Sequence, residues 1–235
     1  MTRIDTTQWS LVLGARGEGV DARVALDALC RIYRRPVVSY IRAKGHAAEI
    51  AEDLTQEFFA RFLEANAFSA ADPNRGRFRA YLLTAVKHFL INAGKGKTAL
   101  KRGGTSCVES IDLAGCDIPS DDTPERDYDQ TWAAVVLDLA FRRLRAEAEL
   151  AGKHEQFARL RNFLIETPST AEYEQAAVVL GMRRNTIAVT VHRMRERLRD
   201  LARDVIAETT AGPADLENEL RVLRQRIESA AGAVE

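Results

Sequence analysis

The residues with the clearest chemical meaning lie between Tyr173 and Leu198, where small, apolar and basic residues follow helix-turn-helix spacing. Ala176 and Ala177 are small enough for a second helix to cross closely, and Gly181 suits a turn with positive φ. The apolar residues that would pack between the two helices are Leu180, Met182, Ile187 and Val191. The second helix would present basic, amide and hydroxyl side chains that can bind bases and phosphates of a DNA duplex. These candidates are Arg183, Arg184, Asn185, Thr186, Val189, His192 and Arg193.

The same segment could instead form a surface hairpin with solvated arginines, or a hairpin that binds protein. Under the DNA-binding interpretation, the arginines further along the second helix are expected to contact phosphates.

A second segment, RGRFRAYLLTAVKHFLIN from Arg75, mixes cations with aromatic rings. Cations hold a phosphate backbone and aromatic faces stack on unpaired bases, which is the chemistry of single-strand binding. Core packing explains its apolar face equally well, because Phe78, Leu82 and Phe89 share one side of the predicted helix. Tyr81, Lys87 and His88 are therefore the better contact candidates.

A third segment, AEIAEDLTQEFFARFLE from Ala48, has an apolar face and an acidic face. Either a solvated surface or a surface that binds a basic groove of a partner protein would explain the acidic face. The acidic and amide residues are Glu49, Glu52, Asp53, Gln56 and Glu57.

Catalysis has little support in the sequence. The stretch AGKGKT at Ala93 lacks the glycine that a phosphate-binding loop requires at position 91, which is Ile91. The four histidines lack metal-ligand spacing, and three cysteines without a CxxC pair do not form a disulfide framework. We expect no catalytic residue, metal or cofactor. The sequence also has no signal peptide or membrane span, which predicts a cytoplasmic protein.

Helical periodicity predicts an all-α fold: two small helical domains joined by an acidic flexible linker. Pro36 is expected to kink the first long helix or to start a second one. The tail places Leu216, Leu220, Leu223 and Ile227 at helical spacing and is expected to dock on the second domain. The predicted segments are an N-terminal stretch 1–20, a first domain 21–104, the linker 105–122, a second domain 123–207 and an extension 208–235.

Charge is segregated along these segments. The chain has 34 basic and 34 acidic residues and no net charge, which argues against a uniformly basic nucleic-acid binder. Yet residues 75–102 hold eight basic and no acidic residues, whereas residues 105–130 hold eight acidic residues and one basic. The neutral total therefore hides segments suited to different partners.

The order of DLTQEFF, RGRFRAYLLTAVKHFLIN, a linker and a helix-turn-helix ending in VHRMRERLRDL resembles bacterial RNA polymerase sigma factors of the extracytoplasmic-function (ECF) type, in the sigma-70 family. The resemblance covers about residues 20–207. KRGG at Lys101 and DLENELRVL at Asp215 resemble a sub-group with a short C-terminal extension. The first domain would be sigma region 2 and the second would be region 4.

The resemblance implies roles for each segment. Asp53, Gln56 and Glu57 would bind the β′ clamp of core RNA polymerase, and the β subunit would be a further contact. The helix-turn-helix would read the −35 promoter element, and the acidic stretch to Gln130 would thread polymerase channels. The −10 element would be bound by Arg77, Arg79, Tyr81, Lys87, His88 and Asn92.

The resemblance therefore implies a promoter-specificity subunit, monomeric when free, with promoter DNA and core polymerase as partners. An anti-sigma factor is a second candidate partner for the tail. The alternative is a helix-turn-helix regulator that binds operator DNA without polymerase.

Overall fold

The chain is described by a computed structural model over residues 20–65, 67, 77–100, 123–210 and 212–231. These residues form eight α-helices and one 3-10 turn and contain no strand, which confirms the all-α prediction. The predicted linker at 105–122 and most of the N-terminal stretch lie outside the described residues. The helices are α1 (Val20–Ala43), α2 (Ala48–Glu64), α3 (Phe78–Leu100), α4 (Thr123–Leu150), α5 (His154–Leu160), α6 (Thr170–Leu180), α7 (Arg184–Ala207) and α8 (Pro213–Ala231), with the 3-10 turn at Arg161–Leu164.

The chain forms two compact units whose boundaries fall inside helices. Unit 1 takes the chain up to Val135 and from Ile206 onward, and unit 2 is Val136–Val205. The boundaries therefore lie within α4 and α7. The segment limits at 122/123 and 207/208 stay predictions from sequence.

Unit 1 is organised by an aromatic cluster that joins its first three helices. The rings of Tyr33 and Phe78 lie 5.3 Å apart, and those of Phe58 and Phe89 lie 5.7 Å apart. Helix α1 runs through Pro36 without a break, so no second helix begins there. We attribute this continuity to the buried residues that follow Pro36, since their packing offsets the hydrogen bond that proline removes.

The start of α4 and the whole of α8 complete unit 1. Tyr128 and Trp132 of α4 are fully buried. Leu216, Leu220 and Leu223 of α8 are buried as well, and α8 belongs to unit 1. The prediction that the tail docks on the second domain therefore needs correction: α8 belongs to the unit that contains α1–α3, and of the predicted second domain that unit includes only residues 123–135 and 206–207.

Residues 123–130 form the beginning of α4, although in sequence they belong to the acidic segment expected to thread polymerase channels. They are held inside unit 1 by Tyr128, whose ring contacts Tyr40 edge-on at 6.5 Å. Ser39 Oγ of α1 also donates a hydrogen bond of 3.5 Å to the Asp127 carbonyl. The channel-threading interpretation therefore does not apply to these residues in this conformation.

Unit 2 contains the predicted helix-turn-helix. Its first helix, α6, begins with a capping box in which Ser169 and Glu172 exchange side-chain to backbone hydrogen bonds. These bonds from Ser169 lower the pKa of the Glu172 carboxyl. The box fixes the start of α6 at the residue after Ser169, and hence the helical register of Ala176 and Ala177.

Candidate nucleic-acid interface

The turn between α6 and α7 has the geometry that a helix-turn-helix requires. Gly181 caps α6 in the left-handed region with φ 61° and ψ 29°, which confirms the predicted positive φ. The Met182 amide then donates a hydrogen bond of 2.9 Å to the Ala177 carbonyl. Ala176 and Ala177 are buried, so their small side chains allow the close approach that the sequence predicted.

The apolar residues of the motif set which face of α7 is exposed. Ile187 and Val191 are fully buried, while Leu180 and Met182 are half-buried. Because Ile187 and Val191 are four residues apart, they turn one side of α7 inward and leave the opposite side free. All seven predicted −35 residues are exposed: Arg183, Arg184, Asn185, Thr186, Val189, His192 and Arg193.

Two arginines further along α7 bind protein groups, so the expectation that they contact phosphates is not supported. Arg195 donates hydrogen bonds to the carbonyl of Phe163, at 2.5 and 3.0 Å, and to that of Glu166, at 2.8 Å. Arg197 makes a two-pronged pair with Glu147, at 2.6 and 3.0 Å, and this hydrogen-bonded pair lowers the pKa of the Glu147 carboxyl. Both arginines hold unit 2 together instead.

Replacing Arg195 with alanine should lower the stability of unit 2, because the carbonyl of Phe163 in the 3-10 turn and that of Glu166 after the turn lose a charged donor. We expect a loss of about 1–3 kcal/mol in the free energy of unfolding, measured by urea denaturation of the full chain. Arg199→Ala, an exposed change on the same helix, is the matched control. If both variants unfold at the same urea concentration, Arg195 does not have this structural role.

The acidic face of α2 is exposed as one continuous surface. Asp53, Gln56 and Glu57 are all exposed, and their spacing of three and four residues puts them on one side of the helix. The opposite side is buried through Leu54, Phe58 and Phe62. Glu57 pairs with Arg61 at 2.5 Å, an exposed interaction that leaves the surface accessible to a partner.

The predicted −10 residues on and beside α3 differ in exposure. His88 and Asn92 are exposed. Tyr81 is half-buried: its hydroxyl donates a hydrogen bond of 2.7 Å to the Ala67 carbonyl, and its ring lies 5.9 Å from Phe62. Lys87 is partly exposed and pairs with Glu125 of α4 at 2.5 Å. Burial opposes ionisation of Glu125, but hydrogen bonds from Lys87 and from the backbone, together with the charges of Lys87 and Lys44, lower the pKa of the carboxyl.

Arg77 and Arg79 are much less accessible than the sequence indicated. The Arg79 side chain is only 9% exposed, and its guanidinium pairs with Asp129 of α4 and with Glu219 of α8. It also lies over the Trp132 ring, 4.7 Å from the centroid. Arg77 lies 3.6 Å from the same Glu219 carboxylate. The expectation that Arg79 is a surface contact therefore needs correction: in this conformation it is buried among acidic groups of its own chain.

Comparisons with known proteins bear on this arrangement. Residues 29–98 match sigma-70 region 2. RNA polymerase sigma factor YlaC of Bacillus subtilis (strain 168) is 24% identical over 178 residues, which cover 75% of this chain and 91% of that protein. The two matches support an ECF-type RNA polymerase sigma factor of the sigma-70 family. No solved structure gives a significant match to this chain.

The matched residues 29–98 include α2 and most of α1 and α3, and these residues resemble sigma-70 region 2. Among the helices that the structure describes, none is long and apolar enough to cross a bilayer. Those same residues contain no group of three metal-binding side chains placed to share an ion.

Sequence reasoning missed the acidic residues that bind the cations of region 2. In the sequence, Glu125 and Asp129 belong to the acidic segment after the linker, and Glu219 is one charge among several in the tail. The burial of Glu219 could have been inferred from the sequence, because this residue lies one position before Leu220 on a predicted helix whose apolar side was expected to be buried. Which cation it would meet could not be inferred from spacing, since Arg79 is 140 residues away.

Proposed function

We propose that this sigma factor directs promoter-specific initiation through three surfaces, each on its own helix. The exposed face of α2, with Asp53, Gln56 and Glu57, binds the β′ clamp of core RNA polymerase. The exposed face of α7 reads the −35 element as duplex DNA, and α3 binds the melted −10 element. A protein with these partners acts in the cytoplasm as a non-enzymatic subunit.

The observation that carries the proposal is the exposure of all seven predicted −35 side chains, six on α7 and Arg183 directly before it, in a chain whose other unit contains the match to region 2. An arginine can bind guanine with two hydrogen bonds and an asparagine can do the same with adenine in the major groove. Arg184 and Asn185 lie in the first turn of α7, the part of a recognition helix that enters the groove.

For the −10 element, exposure favours His88 and Asn92 as the first contacts, followed by the partly exposed Lys87. Arg77 and Arg79 could join them only if their carboxylate partners moved away. The linker at 105–122 is the segment proposed to enter polymerase channels. A contact of the tail with an anti-sigma factor and a contact with the β subunit remain proposals of the same kind.

Run-off transcription tests the function directly. Core RNA polymerase with this chain should yield transcripts from a defined set of promoters, selected from a random promoter library with the reconstituted holoenzyme. Core enzyme alone is the control and should yield none of them. DNA binding by the free chain without any promoter-dependent transcript would instead support the operator-binding regulator.

A further inference from the structure

The basic residues at the start of α3 take part in a nearly buried network of five charges. Arg79 Nε lies 2.9 Å from Glu219 Oε2, and Arg77 Nε lies 3.6 Å from Glu219 Oε1. Asp129 pairs with Arg79 and also with Arg226 of α8, the latter at 3.3 Å. The Glu219 side chain is only 3% exposed. Helix α8 thus covers the cations of region 2 with a carboxylate.

The carboxylate of Glu219 occupies a position that a phosphate could take. A guanidinium binds carboxylate and phosphate through the same planar pair of donors, so the two anions compete for one site. With Glu219 and Asp129 in place, two carboxylates oppose three arginines, so most of the positive charge of Arg77 and Arg79 is offset within unit 1. Nucleic acid that approached α3 would therefore meet His88 and Asn92 but not these two arginines.

The covered arrangement has polar groups whose hydrogen bonding is incomplete. Within the part of the chain that the structure describes, the buried atoms Glu219 Oε1 and Arg226 Nε have no hydrogen-bond partner. Such groups lose their hydration on burial without full compensation, which reduces the net gain from docking α8. Leu216, Leu220 and Leu223 supply the opposing apolar contribution. A polyanion that bound the two arginines would compete with Glu219 and shift the equilibrium further towards release of α8.

We propose that α8 is an autoinhibitory helix: Glu219 occupies a phosphate-binding site formed by Arg77 and Arg79, and single-stranded DNA must displace it to bind region 2 fully. The inference rests on the proposed function, because it concerns regulation of the −10 surface. It assigns the C-terminal extension a role in keeping the free sigma factor from binding nucleic acid.

Binding of a short, fluorescein-labelled single-stranded DNA of mixed sequence to the full chain tests the inference by anisotropy. Glu219→Gln should bind about five- to tenfold more tightly, and its affinity should fall more steeply with salt by about one to two units of slope, because one or two phosphate contacts are gained. Glu228→Gln, an exposed change on the same helix, should match the parent chain. Adding Arg79→Ala to Glu219→Gln should remove the gain.

Unchanged or weaker binding by a folded Glu219→Gln variant would overturn the inference, since α8 would then be purely structural or would position the arginines. If that variant does not fold, hydrogen exchange of the parent chain decides. Saturating DNA should speed amide exchange across residues 213–231, and unchanged protection there would overturn the inference. Promoter-dependent transcription by the parent chain is measured separately. Its loss removes the proposed function, whereas its presence with no effect of Glu219→Gln removes only the autoinhibition.

Discussion

A chain carrying Asp53→Lys and Gln56→Ala should no longer co-elute with core RNA polymerase, and its affinity should fall at least about tenfold. Both side chains are exposed on the acidic face of α2, and the change reverses one charge and removes one amide. A basic groove on the partner would then face a lysine, and like charges across an interface are strongly unfavourable. Size-exclusion chromatography and a labelled-sigma competition assay measure the loss.

The fold should survive this double change, because the packing side of α2 is untouched. Circular dichroism and thermal unfolding of the free chain should match those of the parent. Glu228→Lys, an exposed charge reversal on α8, is the control and should co-elute normally. Normal co-elution of the double variant would mean that the polymerase binds a different surface of the sigma factor.

The second large effect is expected at the start of α7. Arg184→Ala and Asn185→Ala should each weaken holoenzyme binding to a selected promoter by about 1–3 kcal/mol, or roughly five- to 150-fold, if each side chain makes a bidentate contact with a base. Each variant should also relax sequence preference at one −35 position. Titration of promoter fragments that differ at single −35 positions measures both effects.

Arg161→Ala is the charge-matched control for Arg184→Ala, since Arg161 is exposed in unit 2 but lies on the 3-10 turn and not on α7. It should leave sequence preference unchanged. If Arg184→Ala behaves like this control on every promoter position, Arg184 contacts at most the backbone and the reading of bases must be assigned to other residues.

Local patterns predicted much of the structure because local interactions determine it. Helical periodicity in the sequence indicates helices over about 123–150 and 184–207, and these limits agree with α4 and α7. Gly181 and the two alanines before it identified the turn, since a left-handed cap and a close helix crossing each restrict residue type. The helical pattern of the preceding segment, in contrast, ends near Ala93, but α3 continues to Leu100 through Gly94 and Gly96. Glycine only weakens a helix and does not terminate it by itself.

The placement of charged residues was not predictable in the same way. Arg79 and Lys87 belong to a segment with no acidic residue, so the sequence favoured solvent or DNA as their partner. Their carboxylate partners lie on α4 and α8, far away along the chain, and no periodicity links them. The exposed face of α7 was predictable because the spacing of apolar and polar residues within one helix determines which side of it is buried.

The composition of unit 1 affects how chimeric sigma factors should be built. The stretch that matches region 2 ends at residue 98, but the hydrophobic core around it is completed by Tyr128, Trp132 and Leu216 from two later parts of the chain. Exchanging residues 29–98 alone would pack the helices of one protein against the core residues of another at positions 128, 132 and 216. A transplant that keeps promoter specificity intact should therefore carry residues 123–135 and 206–231 together with the matched stretch.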